Sequence, residues 1–190
     1  MSETSGRTLR ITVAAMMAAM VYVVTLFRFP FLGSKVHFAN ALCLLSGLLL
    51  GPVTGGLAAG LGSGLYDAFT GGYGLVEALI TFASKFAMAW VCGTIAASEH
   101  ERRGKVDRTV VACVAGALTY VALYMLKTFI LNRFVYGYPL DAVGATMVAK
   151  LIPSLINAGF ASVVAPLFYH AVVPGLQKAG LLERMRPAQG

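Results

Sequence analysis

At 190 residues the chain has the length of one ordinary soluble domain, but 58% hydrophobic content, 12% charged residues and a mean hydropathy of +0.76 exclude that class. The formal net charge of +7 would suit a nucleic-acid binder, yet the basic residues gather at the ends of apolar runs. That is the pattern of an integral membrane protein, and it leaves no nucleic acid among the expected partners.

Apolar runs of about 17 to 25 residues, rising roughly 1.5 Å per residue, can cross a hydrocarbon core about 30 Å thick. After a polar tail, residues 1–8, six candidate spans follow in chain order: 9–27, 37–50, 53–70, 75–97, 109–131 and 143–173. The expected fold is therefore an all-α integral membrane protein with six transmembrane helices, a membrane domain over 9–174 and a C-terminal tail over 175–190. Spans two and three are separated only by Gly51 and Pro52, which suit a tight turn. The sixth carries Pro153, Pro166 and Pro174 and is longer than a perpendicular crossing needs, so a tilt or kink is expected.

The arginines and lysines orient this arrangement. With the N-terminus inside, Arg7, Arg10, Arg102, Arg103, Lys105, Arg108, Lys178, Arg184 and Arg186 lie on the cytoplasmic side, against Arg28, Lys35 and Arg133 outside. Such a bias puts both termini in the cytoplasm. The loop 99–108 reads either as a solvated turn that enforces orientation or as a contact for a partner or lipid headgroups. Cys43, Cys92 and Cys113 lie in apolar segments without paired spacing and read as small buried residues.

The first span carries two staggered pairs of small residues, Ala14 with Ala18 and Ala15 with Ala19. Such a ridge serves packing inside the protein or docking of another subunit. The third span, GPVTGGLAAGLGSGLYDAFTGG over 51–72, is no phosphate loop, because Gly64 is followed by Leu65, Tyr66 and Asp67 rather than a lysine and a hydroxyl. Gly47, Gly51 and Gly55, and again Gly56, Gly60 and Gly64, recur every fourth residue. At that spacing each set is expected to line one helical face and let backbones approach closely.

A lysine within a membrane span costs about 2.5 to 3.5 kcal/mol on insertion scales, so it usually faces a cavity or a partner. Lys85, Lys127 and Lys150 all fall in the outer halves of their spans, each within a polar stripe at helical spacing. Glu77, Thr81, Ser84 and Lys85 form the first, Tyr120, Tyr124 and Lys127 the second, and Lys150, Ser154 and Asn157 the third. Together they predict one shared cavity open to the outside. The alternative is that Lys127 snorkels to the headgroups while Lys85 and Lys150 pair with Glu77 and Asp67. Three lysines against two acids favour a ligand bearing a carboxylate or another strong acceptor. The first outer loop, 28–40, offers Phe29, Phe31, His37 and Asn40 to close over a ring-shaped ligand, although aromatics there also serve as interface anchors. Tyr136 and Tyr138 in the loop before the sixth span are further lid candidates.

Six helices, the alanine ridge, the long first outer loop and HFANALCLLSGLLLGPVTGGLAAGLGSGLYDAFTG, followed by TFASKFAMAWVCG, resemble the substrate-binding S component of energy-coupling factor (ECF) transporters. The likeness runs from about residue 7 to residue 174. It implies a multi-pass protein of a bacterial or archaeal cell membrane that captures a vitamin or vitamin precursor from outside. It also implies a transmembrane coupling subunit of the EcfT type and two cytoplasmic ATPases as partners, and release of the cargo by toppling in the lipid bilayer. Ala14, Ala15, Ala18 and Ala19 match the family's coupling-subunit contact. The family pocket, built from the outer parts of helices four to six under the first loop, coincides with the lysine stripes. The substrate-binding set is then Lys85, Lys127, Lys150, Glu77, Thr81, Ser84, Tyr124, Ser154, Asn157, Asn40, His37 and Asp67.

No ATP-binding motif is present, as the resemblance implies, and no cofactor, metal or enzymatic activity is called for. The metal-transporting branch relies on a histidine-bearing N-terminal extension, which MSETSGRTLR lacks. His37, His100 and His170 are spread over three regions that cannot meet in one catalytic site. A stand-alone secondary transporter or channel would share the topology, but the glycine-rich third span has no counterpart in the sixth to make an inverted repeat.

Overall fold

The computed structural model describes residues 3–31, 34–97 and 106–184, with side chains for 6–27, 38–97 and 108–184. Arg102, Arg103, Lys105, Arg186, His100 and the greater part of the 99–108 loop lie outside the described residues, as do the side chains of Arg28, Phe29, Phe31, Lys35 and His37. The elements in chain order are α1 (Glu3–Leu26), β1 (Arg28–Phe31), β2 (Ser34–His37), α2 (Ala39–Leu50), α3 (Pro52–Leu65), α4 (Gly74–Ala97), α5 (Val106–Ile130), α6 (Leu140–Lys178) and α7 (Leu181–Arg184). Two π-helical turns, Tyr66–Thr70 and Leu131–Val135, extend α3 and α5.

Helices α1, α4, α5 and α6 are long and apolar enough to cross a membrane. The second expected span is shorter than its apolar run. His37 ends β2, and α2 keeps 12 residues, about 18 Å of helix. The segment between α1 and α2 is likewise more regular than expected. It is an antiparallel hairpin with Arg28 opposite His37 and Phe31 opposite Ser34. Pro30 fits because each strand of a two-stranded ribbon has a free edge. Helix α6 runs 39 residues through its three prolines, roughly 58 Å, well beyond one hydrocarbon thickness.

The GP turn forms for a local reason. Gly51 adopts φ +79°, its amide closes α2 by donating to the Gly47 carbonyl at 3.0 Å, and Pro52 opens α3 where no amide hydrogen is needed. Ser46, wholly buried, shares its one hydroxyl hydrogen between the carbonyls of Cys43 (2.7 Å) and Gly55 (2.9 Å) and so links the two helices.

Gly56, Gly60 and Gly64 do line one face, which meets α4 in antiparallel order. A Cβ at Gly56 would lie 2.9 Å from the Phe86 ring, one at Gly60 2.9 Å from the Phe82 carbonyl oxygen, and one at Gly64 3.1 Å from the Ala78 carbonyl oxygen. The other glycine set does not share a face, because its period runs through the turn. Gly47 abuts the Ala89 carbonyl on α4, Gly51 is the turn itself and Gly55 abuts Ser46 on α2. Gly62 meets the Ala18 carbonyl of α1, and Gly116 of α5 meets the Met88 carbonyl. The core between these contacts contains Val21, Leu44, Met88, Cys43, Cys92 and Cys113, all fully buried, and the three thiols are free.

Gly47→Ala drives a methyl group into the Ala89 backbone, and overpacking of this kind costs about 1 to 3 kcal/mol. Thermal unfolding in detergent should show a clear drop for Gly47→Ala. Gly144→Ala on α6, where a Cβ meets nothing within 4 Å, should leave the transition unchanged or raise it.

Candidate functional site: a tyrosine-lined cavity with three lysines

At the hairpin end of the bundle a cavity of about 390 Å³ opens between α1, α3, α4, α5 and α6. The π turn after α3 brings Asp67 to its wall, and α4 presents Glu77, Thr81, Ser84 and Lys85 along one stripe. Helix α5 adds Tyr120, Tyr124, Lys127 and Thr128, the π turn after it adds Asn132, and α6 adds Lys150, Ser154 and Asn157. Three helical stripes from distant parts of the chain thus converge because α4, α5 and α6 pack side by side with their polar faces inward.

Ten of the twelve residues expected to bind substrate line this one cavity: Asp67, Glu77, Thr81, Ser84, Lys85, Tyr124, Lys127, Lys150, Ser154 and Asn157. Asn40 stands behind them and accepts a hydrogen bond from the Lys85 ammonium. The His37 side chain is outside the described residues, and of the two lid tyrosines Tyr136 reaches the lining while the Tyr138 ring lies tilted beside it, 5.9 Å between centroids.

The lysines occupy three different environments. Lys85 is only 3% exposed and sits over the Tyr120 ring, 3.4 Å from its centroid, with Asn40 as acceptor. Ring quadrupole and amide oxygen together offset the loss of water around an ammonium. Lys127 neither snorkels nor stands alone. It pairs with Glu77 of α4, which overturns the pairing of Glu77 with Lys85 or Lys150. Lys150 is half-buried, and among the described residues it has no carboxylate partner. Its ammonium and that of Lys127 each lie 5.8 Å from the Tyr124 ring centroid. Asp67 shares a hydrogen bond with Thr81.

Several lining residues escaped the sequence reading. Thr25 and Ser63 come from α1 and α3, Tyr73 from the turn before α4, and Thr128 and Asn132 from the end of α5. Thr128 and Asn132 continue the helical spacing of Tyr120 and Tyr124, a signal that was available. Asn132 donates to the Thr128 carbonyl at 2.8 Å and Thr128 to the Tyr124 carbonyl at 2.8 Å, so backbone acceptors satisfy one donor of each.

Beneath the cavity the polar stripes stop. One and two turns past Lys85 on α4 stand Met88, Ala89 and Cys92; on α5, past Tyr120, Ala117, Cys113 and Ala112; on α6, past Asn157, Ala161 and Ala165. These residues are buried in the apolar core, with the Ser162 hydroxyl the one polar side chain buried near them on α6 among the described residues.

The sequence profile of the "ECF-type riboflavin transporter, S component" family matches residues 6–173. A solved structure described as "Structure and mechanism of the S component of a bacterial ECF transporter" has the same fold. It shows a TM-score of 0.65 at 16% identity, covering 90% of this chain and 99% of that one. No curated protein sequence matches. The chain belongs to the ECF-type riboflavin transporter S component family, a family of membrane transport subunits.

Removing one partner from the Lys85–Asn40 bond is expected to cost more than removing both, because a stranded buried ammonium keeps its full desolvation penalty. Asn40→Leu should therefore lower thermal stability by about 1 to 3 kcal/mol. The Asn40→Leu, Lys85→Met double variant should recover part of that loss in a thermal-unfolding cycle. Additive losses would show that the bond contributes nothing.

Proposed function

We propose that this chain is the substrate-capturing subunit of an ECF-type importer, taking a vitamin or vitamin precursor from outside the cell. It passes the cargo to a transmembrane coupling subunit energised by two cytoplasmic ATPases. The observation that carries the proposal is the floored cavity of polar and tyrosine side chains at one end of an apolar bundle that belongs to the S-component family. A volume of about 390 Å³ lies at the low end of small-molecule sites, about 300 to 1,000 Å³, which favours a compact vitamin-sized cargo.

In this reading α1 to α6, four of them long and α2 and α3 short, form the six-helix domain 9–174 in a bacterial or archaeal cell membrane, with both tails, 1–8 and 175–190, in the cytoplasm. The hairpin and the cavity mouth face outward. The substrate contacts are the cavity residues named above, and Tyr120 and Tyr124, stacked at 6.1 Å with 20° between their planes, offer flat surfaces to a ring. The alanine ridge divides by exposure. Ala14 and Ala18 pack against the core, while Ala15 and Ala19 are exposed beside Ile11, Met16, Met20 and Val23. Ala15 and Ala19 are thus the residues free to meet a coupling subunit.

Mass spectrometry of the protein purified alone in detergent should find one vitamin-like compound, and titration with a vitamin panel that includes riboflavin should give tight one-to-one binding. Tyr124→Ala should weaken that binding by about two- to tenfold through lost stacking. An empty protein that binds nothing in the panel would overturn the proposal. Ala15→Leu with Ala19→Leu should retain ligand binding but lose co-purification with the coupling subunit. Ala14→Leu should instead lower thermal stability.

A further inference from the structure

The cavity holds three ammonium groups and two carboxylates, so one positive charge is left over. The contacts show which of the three cations is available to a ligand. Glu77 is engaged by Lys127, and Lys85 is held over a tyrosine ring by an amide oxygen, too deep to move toward an entering ligand. Lys85 and Lys150 both lack a carboxylate within ion-pair distance among the described residues, and of the two only Lys150, half-buried on the cavity wall beside Tyr124, is exposed enough to meet a ligand. A cation in a partly dehydrated pocket keeps most of its desolvation cost until an anion arrives.

We infer that the cargo of this chain is a small monocarboxylate whose acid group binds Lys150 while its body packs against Tyr124, rather than a neutral flavin. The inference rests on the capture reading above and narrows it. One carboxylate cancels the excess charge. A phosphate monoester, at about −1.5 to −2 near neutral pH, would overshoot it. Buried Ser154 and Asn157, one and two turns along α6 from Lys150, lie on the same wall, so further polar groups of the cargo have partners beside the acid. Ser154 already donates to the Lys150 carbonyl at 2.7 Å, which leaves its oxygen as an acceptor.

The test is calorimetric titration of the whole purified protein with matched acid and neutral compounds: pantothenate and panthenol, biotin and biotinamide, nicotinate and nicotinamide. FMN and riboflavin serve as the phosphate pair. For the pair that binds, the carboxylate member should bind about 10- to 100-fold more tightly than its neutral counterpart. Lys150→Gln should bring that ratio toward one, and Lys150→Arg should keep it well above one. Equal affinity within the binding pair, or a ratio unchanged in Lys150→Gln, overturns the inference and leaves the capture reading standing. FMN or riboflavin as the tightest ligand does the same. Binding of no compound overturns the capture reading and this inference with it.

Discussion

The structure depends on how closely α3 can approach its neighbours. Within lipid, burial of apolar side chains gives helices little reason to associate, so packing distance does the work. Helix α3 offers glycine on three sides: Gly56, Gly60 and Gly64 toward α4, Gly55 toward α2 and Gly62 toward α1. With a Cβ at these places, backbone carbonyls of Ser46, Ala18 and Phe82 would be displaced, and α4 with them. Helix α4 bears Lys85, Glu77 and Thr81, so the glycine row sets where those groups sit relative to Asp67 and to the tyrosines of α5.

A second consequence concerns the first turn of α2. Asn40 follows the hairpin by only a few residues and holds the Lys85 ammonium of α4, while the Phe38 ring packs at a tilt against Phe160 of α6, 4.8 Å between centroids. Strand β2 also packs against α6. The base of the hairpin is thereby fixed to two walls of the cavity, by one polar and one aromatic contact. The opposite rim is bound by Tyr22 of α1, which hydrogen-bonds Thr70 and meets the Tyr66 ring edge-on at 5.8 Å.

Much of this was legible in the chain because its signals are local and periodic. Lysines are costly in apolar helices, and each stands one helical turn from other polar residues, so the stripes on α4, α5 and α6 could be read without knowing how the helices meet. Pairings could not. Glu77 and Lys127 are 50 residues apart and Asn40 and Lys85 are 45 apart, and only the packing of α2, α4 and α5 chooses among the possible partners. Gly47, Gly51 and Gly55 misled because spacing counts residues and not direction, and the turn at Gly51 reverses the chain. The alanines of α1 were ambiguous because both staggered pairs have the same spacing, and only the placement of Gly62 against Ala18 settles which pair faces inward. The hairpin was hidden because RFPF and SKVH show no clean alternation of apolar and polar residues.

The floor of the cavity constrains how anything held there could leave on the far side. A channel needs polar groups or water along its whole length, since an ion or polar solute crossing a dry apolar layer loses its hydration without replacement. Here Met88, Cys92, Cys113 and Leu44 are fully buried beyond the polar stripes, and the α4 backbone beside them is held close at Gly116 against Met88 and at Gly47 against Ala89. Opening a path would mean separating α2, α4 and α5, the helices that hold the cavity together. Moving the loaded bundle as one body leaves those contacts intact. The price falls instead on the polar rim, Arg133 and the hairpin, which must be carried into lipid or covered by another protein. That division, a rigid core and a costly rim, suits a substrate-binding transport subunit more than a pore that conducts alone.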